Sequence, residues 1–187
     1  MLCLLLLGTV NSMRIKFIFP ILLLGLLSFG AWLGFSKYTA KRNQLVLLET
    51  LPSILVSSLE GHSVDLKEHI GTTLVLIYFN STCPICQSEA ELIRREFSEE
   101  KNSNFIWISS ESVADVKDFR ERYDFVNLSN HTFLSDTLFR LAGEFKLTTV
   151  PATLVYDSKG VLVDFFKGAV SMTDLKAAVI KTHESSR

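Results

Sequence analysis

The feature that most constrains this 187-residue chain is a continuous apolar run with a pair of cysteines close behind it. The first of the two cysteines comes four residues after the run ends. Residues 73–79 are Thr-Leu-Val-Leu-Ile-Tyr-Phe, a composition typical of a strand buried on both faces. Over residues 84–101 the apolar side chains recur at helical intervals, and we expect them to form an inward helix face from Ile85, Ala90, Leu92, Ile93 and Phe97. Cys83 and Cys86 therefore lie at the junction of a buried strand and a helix.

The position of these two cysteines favours reactive thiols. The first turn of a helix offers unpaired amide N–H groups and the positive end of the helix dipole, and both stabilise a thiolate. Two cysteines three residues apart can form and break one disulfide reversibly. The third cysteine, Cys3, lies in the N-terminal apolar stretch, so the pair does not belong to a framework of several disulfides. The sequence thus predicts a redox-active disulfide, Cys83–Cys86.

Two other roles for the cysteine pair are less consistent with this context. A static structural disulfide does not require a strand–helix junction, although the spacing allows one. A zinc site needs two further ligands, and the histidines at positions 62, 69, 131 and 183 show no paired spacing. We therefore expect no metal ligands in the chain, and no cofactor.

The first 36 residues have the composition of a membrane leader. Residues 17–35 are 19 consecutive uncharged residues, and a helix of that length spans roughly 28 Å at about 1.5 Å per residue, close to the hydrocarbon thickness of a bilayer. Basic residues flank the run: Arg14, Lys16, Lys37, Lys41 and Arg42. The sequence predicts a leader at 1–36 with a transmembrane or signal-anchor segment, a juxtamembrane linker at 37–49 and a domain at 50–187.

Cleavage of the leader is the alternative to a permanent anchor. Small residues two apart, at Ser28/Gly30 and at Gly34/Ser36, would support signal-peptide cleavage and a secreted domain. Met13 is followed by a short basic region and has the setting of a translation start, which would make residues 1–12 an upstream extension.

The charge of the domain argues against nucleic-acid binding. Residues 1–42 hold five of the 19 basic residues and none of the 20 acidic ones, so the remainder has 14 basic and 20 acidic side chains and a net charge of −6. A mildly acidic domain without a basic stripe does not suit a phosphate backbone. Its partners are expected to be proteins or small molecules.

Strand and helix patterns alternate along the domain. Two short strand patterns flank Glu60-Gly61 and predict a β-hairpin over residues 53–66. The order after it is β-α-β-α-β-α-β-β-α, at residues 73–79, 84–101, 104–109, 113–123, 131–134, 137–145, 152–156, 161–166 and 171–182. Ser135-Asp136 is expected to cap the helix at 137–145. We predict an α/β fold in which helices sandwich a mixed central sheet.

Three features together resemble the thioredoxin fold: the strand–Cys-x-x-Cys–helix junction, Thr149-Val150-Pro151 before a strand, and the turn at 157–160. The N-terminal hairpin, the extra helix and strand in the middle, and the leader resemble one branch of it. That branch is the membrane-anchored thiol–disulfide oxidoreductases of the TlpA/ResA type, within the thioredoxin-fold superfamily that includes the AhpC/TSA-related redoxins. The resemblance covers residues 50–182 and implies that the domain lies in the periplasm or another extracytoplasmic space.

The resemblance also implies roles for individual residues. Cys83, at the helix start, is expected to attack a substrate disulfide, and Cys86 to resolve the mixed disulfide. Pro151 is expected to be cis and to pack against the dithiol, leaving the backbone of Val150 free to pair with an extended substrate strand. Glu89 is a possible acceptor for the proton of Cys86; the alternative is a surface acid that favours the helix dipole.

The chain departs from the thioredoxin pattern around the dithiol, and two of the departures bear on the direction of electron flow. Ile77 replaces the buried aspartate of the strand, and Ile85 provides no hydrogen-bond donor to Cys83. We therefore expect a protein-disulfide reductase rather than an oxidant. By analogy it needs a membrane electron donor such as a thiol transporter, and apocytochrome c is a suitable substrate.

Two other functions are alternatives. A peroxiredoxin-like peroxide reductase would carry a Pro-x-x-x-Thr-x-x-Cys loop, and Thr82-Cys83 lacks both the spacing and the proline. A non-catalytic binding module of the same fold would keep the Cys83–Cys86 disulfide for structure only.

Overall fold

The computed structural model describes residues 22–36, 38–39 and 46–185. The chain divides into two compact units, Met1–Leu45 and Val46–Arg187. In the first unit the described residues are helical, and we call residues 22–36 helix α1. Within the described ranges no helix has the combination of length and hydropathy that a bilayer-crossing segment needs. Residues 17–21 of the predicted membrane segment lie outside the described residues.

The second unit is one seven-stranded sheet with helices around it. The strands are β1 Leu55–Ser58, β2 Ser63–Asp65, β3 Thr73–Phe79, β4 Ser103–Ser109, β5 His131–Ser135, β6 Ala152–Tyr156 and β7 Leu162–Lys167. The helices are α2 Pro84–Phe97, α3 Val113–Arg122, α4 Arg140–Glu144 and α5 Met172–Ser185, with a short 3₁₀ turn at Leu66–His69. This is the predicted order of elements.

The pairing of the strands brings several loops to one edge of the sheet. The strand order is β2-β1-β5-β4-β3-β6-β7. Strands β3, β4 and β5 run parallel, so all three end at the same edge. Strand β6 is antiparallel to β3 and starts at that edge, with Ala152 opposite Tyr78. The cysteines that follow β3 and the proline that precedes β6 therefore lie at the same edge of the sheet.

Strand β3 is the centre of the core, because all seven of its residues are buried. Alternate side chains point to opposite faces of the sheet. Val75, Ile77 and Phe79 join one hydrophobic cluster with residues of α2, α3 and α5, whereas Leu74 and Leu76 join another with residues of α4. The long apolar run of the sequence is thus a strand covered on both sides.

A buried histidine belongs to the aromatic part of the first cluster. The indole N–H of Trp107 donates to Nδ1 of His131 at 3.1 Å, so the proton of the neutral ring is on Nε2. The imidazole also stacks on Phe105, with ring centroids 4.7 Å apart. Burial lowers the pKa of His131 to about 4. The folded domain therefore keeps this histidine uncharged.

This histidine makes stability depend on pH. Its pKa is about 4 in the folded chain and 6.5 in the unfolded one, so only the unfolded state takes up the proton between these values. We expect about 3 kcal/mol of unfolding free energy to be lost as the pH falls through that window. His131→Phe should be less stable at pH 7, since Trp107 loses its acceptor. Its unfolding free energy, measured by urea titration at each pH, should however change less between pH 6.5 and 4 than that of the wild type. An equal change with pH in both proteins would contradict this account.

Helix α4 begins later than the sequence predicts. The predicted helix started at Thr137, but Phe139 has a left-handed backbone, with φ of 53°, and the helix starts at Arg140. The carboxylate of Asp136 accepts hydrogen bonds from the amides of Arg140 at 2.8 Å and Leu141 at 3.0 Å. Asp136 therefore caps the helix as expected, but across an intervening turn.

Two other expectations need correction. Ile85, placed on the inward face of α2, is 51% exposed, while Cys86 and Glu89 occupy the buried face instead. The second unit also includes residues 46–49, which the sequence assigned to the linker. Leu48 is fully buried, and the carbonyl of Glu49 accepts from the amide of Leu162 at 2.9 Å.

Candidate active site

The dithiol lies where the chain turns from β3 into α2. The amide of Cys83 donates to the carbonyl of Asn80 at 3.2 Å, which closes the turn. Cys83 is the N-cap of α2, and Pro84 follows at the first helical position, where its missing N–H is not needed. The Sγ of Cys83 accepts a hydrogen bond from the amide of Cys86 at 3.4 Å. Both cysteines are free thiols, Cys83 half-buried and Cys86 buried.

The two thiols differ in their environment. Burial raises the pKa of Cys86 to about 12; a hydrogen bond from the backbone of Asn80 works against this, and the neighbouring Cys83 and Glu89 add to it. Cys86 is therefore a protonated thiol at neutral pH. To attack a disulfide it must pass its proton to a base.

Glu89 is a buried carboxyl group one helical turn beyond Cys86. It is 3% exposed. The hydroxyl of Thr153 donates to Oε1 at 3.0 Å, and the amide of Val170 donates to Oε2 at 3.4 Å. Burial raises the pKa of Glu89, and the hydrogen bonds from Thr153 and Val170 partly oppose that rise. The structure thus places a carboxyl group with a raised pKa beside the buried thiol.

The Val150–Pro151 peptide bond is cis. Pro151 is buried, and its carbonyl accepts from the amide of Gly168 at 2.8 Å. Val150 is half-buried and packs on the same core cluster as Cys83. It precedes β6, which pairs with β3 only from Ala152 onwards, so Val150 lies outside the sheet ladder. The predicted site residues 83, 86, 89, 150 and 151 all lie at this edge of the sheet or on the first turns of α2.

Glu111 belongs to this edge as well, although the sequence did not reveal it. Its carboxylate accepts from the amide of Ser81 at 2.7 Å, the hydroxyl of Ser81 at 2.8 Å and the hydroxyl of Ser109 at 2.8 Å. The side-chain amide of Gln87 donates to the carbonyl of Ser81 at 2.8 Å. The loop before the dithiol is therefore tied to the end of β4 and to α2. The signal in the sequence that could have suggested this role for Glu111 is its position just after a predicted strand.

No group of three or more His, Cys, Asp or Glu side chains that could hold a metal ion occurs in the described part of the chain. The reactive groups at this edge of the sheet support thiol chemistry. A half-exposed sulfur, a buried thiol and a buried carboxyl group lie in sequence along the first turns of α2.

The model of the AhpC/TSA family matches residues 48–165. The chain belongs to the AhpC/TSA family. Among its relatives are two Bacillus proteins. "Thiol-disulfide oxidoreductase ResA" of Bacillus cereus (strain ZK / E33L) is 22% identical over 174 residues, which cover 91% of this chain and 96% of that protein. "Thioredoxin-like protein YneN" of Bacillus subtilis (strain 168) is 21% identical, covering 86% of this chain and 95% of that protein.

Solved structures confirm the thioredoxin-like α/β fold that the sequence predicts for this family member. A secreted Mycobacterium tuberculosis disulfide oxidoreductase, homologous to E. coli DsbE, matches with a TM-score of 0.60 at 22% identity, over 69% of this chain and 96% of that one. M. tuberculosis dsbF matches with a TM-score of 0.61 at 23% identity, over 73% of this chain and 96% of that one. Family membership and the curated relatives identify the chain as a thiol–disulfide oxidoreductase.

The difference between the two thiols predicts a difference in alkylation. In the folded full-length chain, iodoacetamide at pH 7.5 should modify Cys83 in Cys86→Ser more than about a hundredfold faster than Cys86 in Cys83→Ser, since the reagent needs an accessible thiolate. Peptide mass spectrometry assigns the label to each position and separates it from Cys3.

Unfolding in guanidinium chloride provides the control, because both thiols should then react at similar rates. Equal rates in the folded variants would contradict the burial and protonation of Cys86.

Proposed function

We propose that the chain is an extracytoplasmic protein-disulfide reductase that acts through its Cys-Pro-Ile-Cys dithiol. The observation that carries the proposal is the asymmetry of the pair: Cys83 is half-exposed at the helix start, whereas Cys86 is buried next to the buried carboxyl group of Glu89. A half-exposed sulfur suits attack on a partner, and a buried one suits attack on its own neighbour.

The reaction has two exchange steps. The thiolate of Cys83 attacks one sulfur of a substrate disulfide; that disulfide breaks, and the other substrate sulfur leaves as a thiolate and takes up a proton. Cys86 then gives its proton to the carboxylate of Glu89 as its sulfur attacks the Sγ of Cys83. The Cys83–Cys86 disulfide forms, and the second substrate sulfur leaves as a thiolate that takes up a proton from solvent, while Glu89 keeps the proton of Cys86. Two electrons have then passed to the substrate.

The environment of Cys83 supports the reducing direction. A dithiol becomes a strong oxidant when its reduced form is stabilised through the thiolate of the attacking cysteine. Here the Sγ of Cys83 accepts one amide N–H at 3.4 Å, and the side chain of Ile85 has no donor to add. The raised pKa of Cys86 keeps the second sulfur a thiol. The dithiol therefore gives up electrons more readily than a stabilised one.

A protein substrate is expected to bind along Val150 and Pro151. Because Val150 lies outside the sheet ladder, its backbone is available to an extended strand, a common mode of peptide recognition. The proposed substrate is the disulfide of a Cys-x-x-Cys-His segment, as in apocytochrome c. Resemblance to the TlpA/ResA type supports this substrate class.

The proposed location is outside the cytoplasm, with residues 17–35 as the anchor or as a cleaved signal. The described helix α1 contains no charged residue, and most of its leucine, phenylalanine and tryptophan side chains are more than half exposed. A membrane thiol donor would return the Cys83–Cys86 disulfide to the dithiol. The related Mycobacterium protein is described as secreted.

Substrate trapping tests the function with a defined partner. The probe is a peptide with an oxidised Cys-x-x-Cys-His pair, mixed with reduced full-length Cys86→Ser. A stable mixed disulfide at Cys83 is expected, because the resolving thiol is absent. Intact-mass spectrometry detects it, and the Cys83→Ser/Cys86→Ser double variant is the matched control.

The direction of electron flow is read with the wild-type chain. Reduced protein with oxidised peptide should react further toward products than oxidised protein with reduced peptide. The absence of a mixed disulfide on Cys86→Ser would contradict exchange chemistry. If the mixed disulfide forms but oxidised wild-type protein reacts further with reduced peptide than the reverse mixture does, the reducing role is contradicted.

A further inference from the structure

Thr153 supplies the only side-chain hydrogen bond that the described structure gives to Glu89. Its hydroxyl is 3.0 Å from Oε1, and the residue is fully buried in β6. It lies opposite Ile77 of β3, which brings no polar group to this part of the core. A buried hydroxyl in a strand needs a partner, and the partner here is the carboxyl group proposed to receive the proton of Cys86.

The two groups bonded to Glu89 differ in what they can do. The amide of Val170, 3.4 Å from Oε2, can only donate. The hydroxyl of Thr153 can donate to a carboxylate and can rotate to accept from a protonated carboxyl group. When Glu89 carries a proton, Oε2 still faces a donor, so the proton belongs on Oε1, facing Thr153. The hydroxyl thus has a partner in both states of the acid.

We propose that Thr153 is a positioning residue that sets the protonation of Glu89 and, through it, the pH at which Cys86 attacks. The inference rests on the proposed role of Glu89 and deepens it. Thr153 touches neither the substrate nor the reacting sulfurs in this scheme. It acts through the carboxyl group to which it is bonded.

The surroundings of Glu89 leave few other groups to set its charge. On its own helix the titratable neighbour is Cys86, which in turn interacts with Cys83 at the helix start. On α5 and β7, Lys176 pairs with Glu96 at 2.7 Å and Lys181 with Asp164 at 3.8 Å. Asp174 accepts from the hydroxyl of Ser171 at 2.7 Å, and the ammonium of Lys167 lies 5.4 Å from the ring centroid of Phe165. Strand β3 and helix α5 contribute apolar side chains to the core beside Cys86: Ile77, Phe79, Leu175 and Ala178.

The test measures the titration of Glu89 itself. The full-length chain, labelled with ¹³C-glutamate and kept reduced, is titrated by NMR, and Glu89→Gln assigns the signal. Thr153→Val keeps the shape but removes the hydroxyl, and should move the midpoint of Glu89 up by about one pH unit, because hydrogen bonds to charged acceptors are stronger than those to neutral ones. Thr153→Ser keeps the hydroxyl and should titrate close to the wild type.

The same variants are compared in the resolution of a mixed disulfide preformed on Cys83. The pH at which the resolution rate rises should be higher in Thr153→Val than in the wild type, by the same amount as the midpoint of Glu89. In Thr153→Ser it should be close to the wild-type pH. Near-ultraviolet circular dichroism checks that each variant is folded, and Thr153→Ala takes the place of the valine variant if that one is not.

The outcomes separate this inference from the proposed function. If Glu89→Gln moves the rise in the resolution rate to the higher pH at which Cys86 itself ionises, but Thr153→Val shifts neither midpoint, the role of Thr153 is wrong and that of Glu89 stands. If Glu89→Gln leaves the pH dependence unchanged, the proposed role of Glu89 fails, and the inference fails with it. Equal shifts in the valine and serine variants would also overturn it.

Discussion

The burial of Cys86 and Glu89 on one face of α2 is the constraint on which the active site depends. The two residues are three positions apart, so they lie on the same side of the helix, and both face the core cluster that covers β3. An ionised group is costly in such a place, and the same burial therefore raises the pKa of the thiol and that of the carboxyl group. The sheet edge supplies the rest: a half-exposed sulfur at the helix start, a cis proline before the adjacent strand, and a glutamate that fixes the intervening loop.

Two buried acids one turn apart do not titrate independently. A negative charge on Glu89 raises the pKa of Cys86, so loss of one proton makes loss of the other harder. Transfer of a proton from thiol to carboxylate keeps the number of buried charges constant while it creates the thiolate that attacks. Hydrogen bonds from Thr153 and Val170 lower the cost of the carboxylate that must exist before that transfer. The arrangement connects the packing of α2 directly to the chemistry of the resolving step.

Much of the fold could be predicted because its signals are local. Strand β3 has the predicted bounds, Thr73–Phe79, since a long apolar run defines both ends. Other features depend on contacts that the sequence does not display. The spacing of apolar residues did not fix which face of α2 points inward, so Ile85 was placed wrongly and the burial of Glu89 was left open. The start of α4 depends on the left-handed backbone at Phe139, and Glu111 reaches Ser81 across 30 residues of sequence.

The most direct test of the central claim is the rate at which Cys86 resolves a mixed disulfide on Cys83, measured by rapid mixing across pH in the full-length wild type and in Glu89→Gln. A buried carboxylate that takes the proton of Cys86 predicts a wild-type rate that rises as Glu89 ionises and then levels off. Glu89→Gln should be slower, and its rate should rise only as Cys86 itself ionises, because burial still raises the pKa of that thiol. Identical profiles in the two proteins would contradict the account.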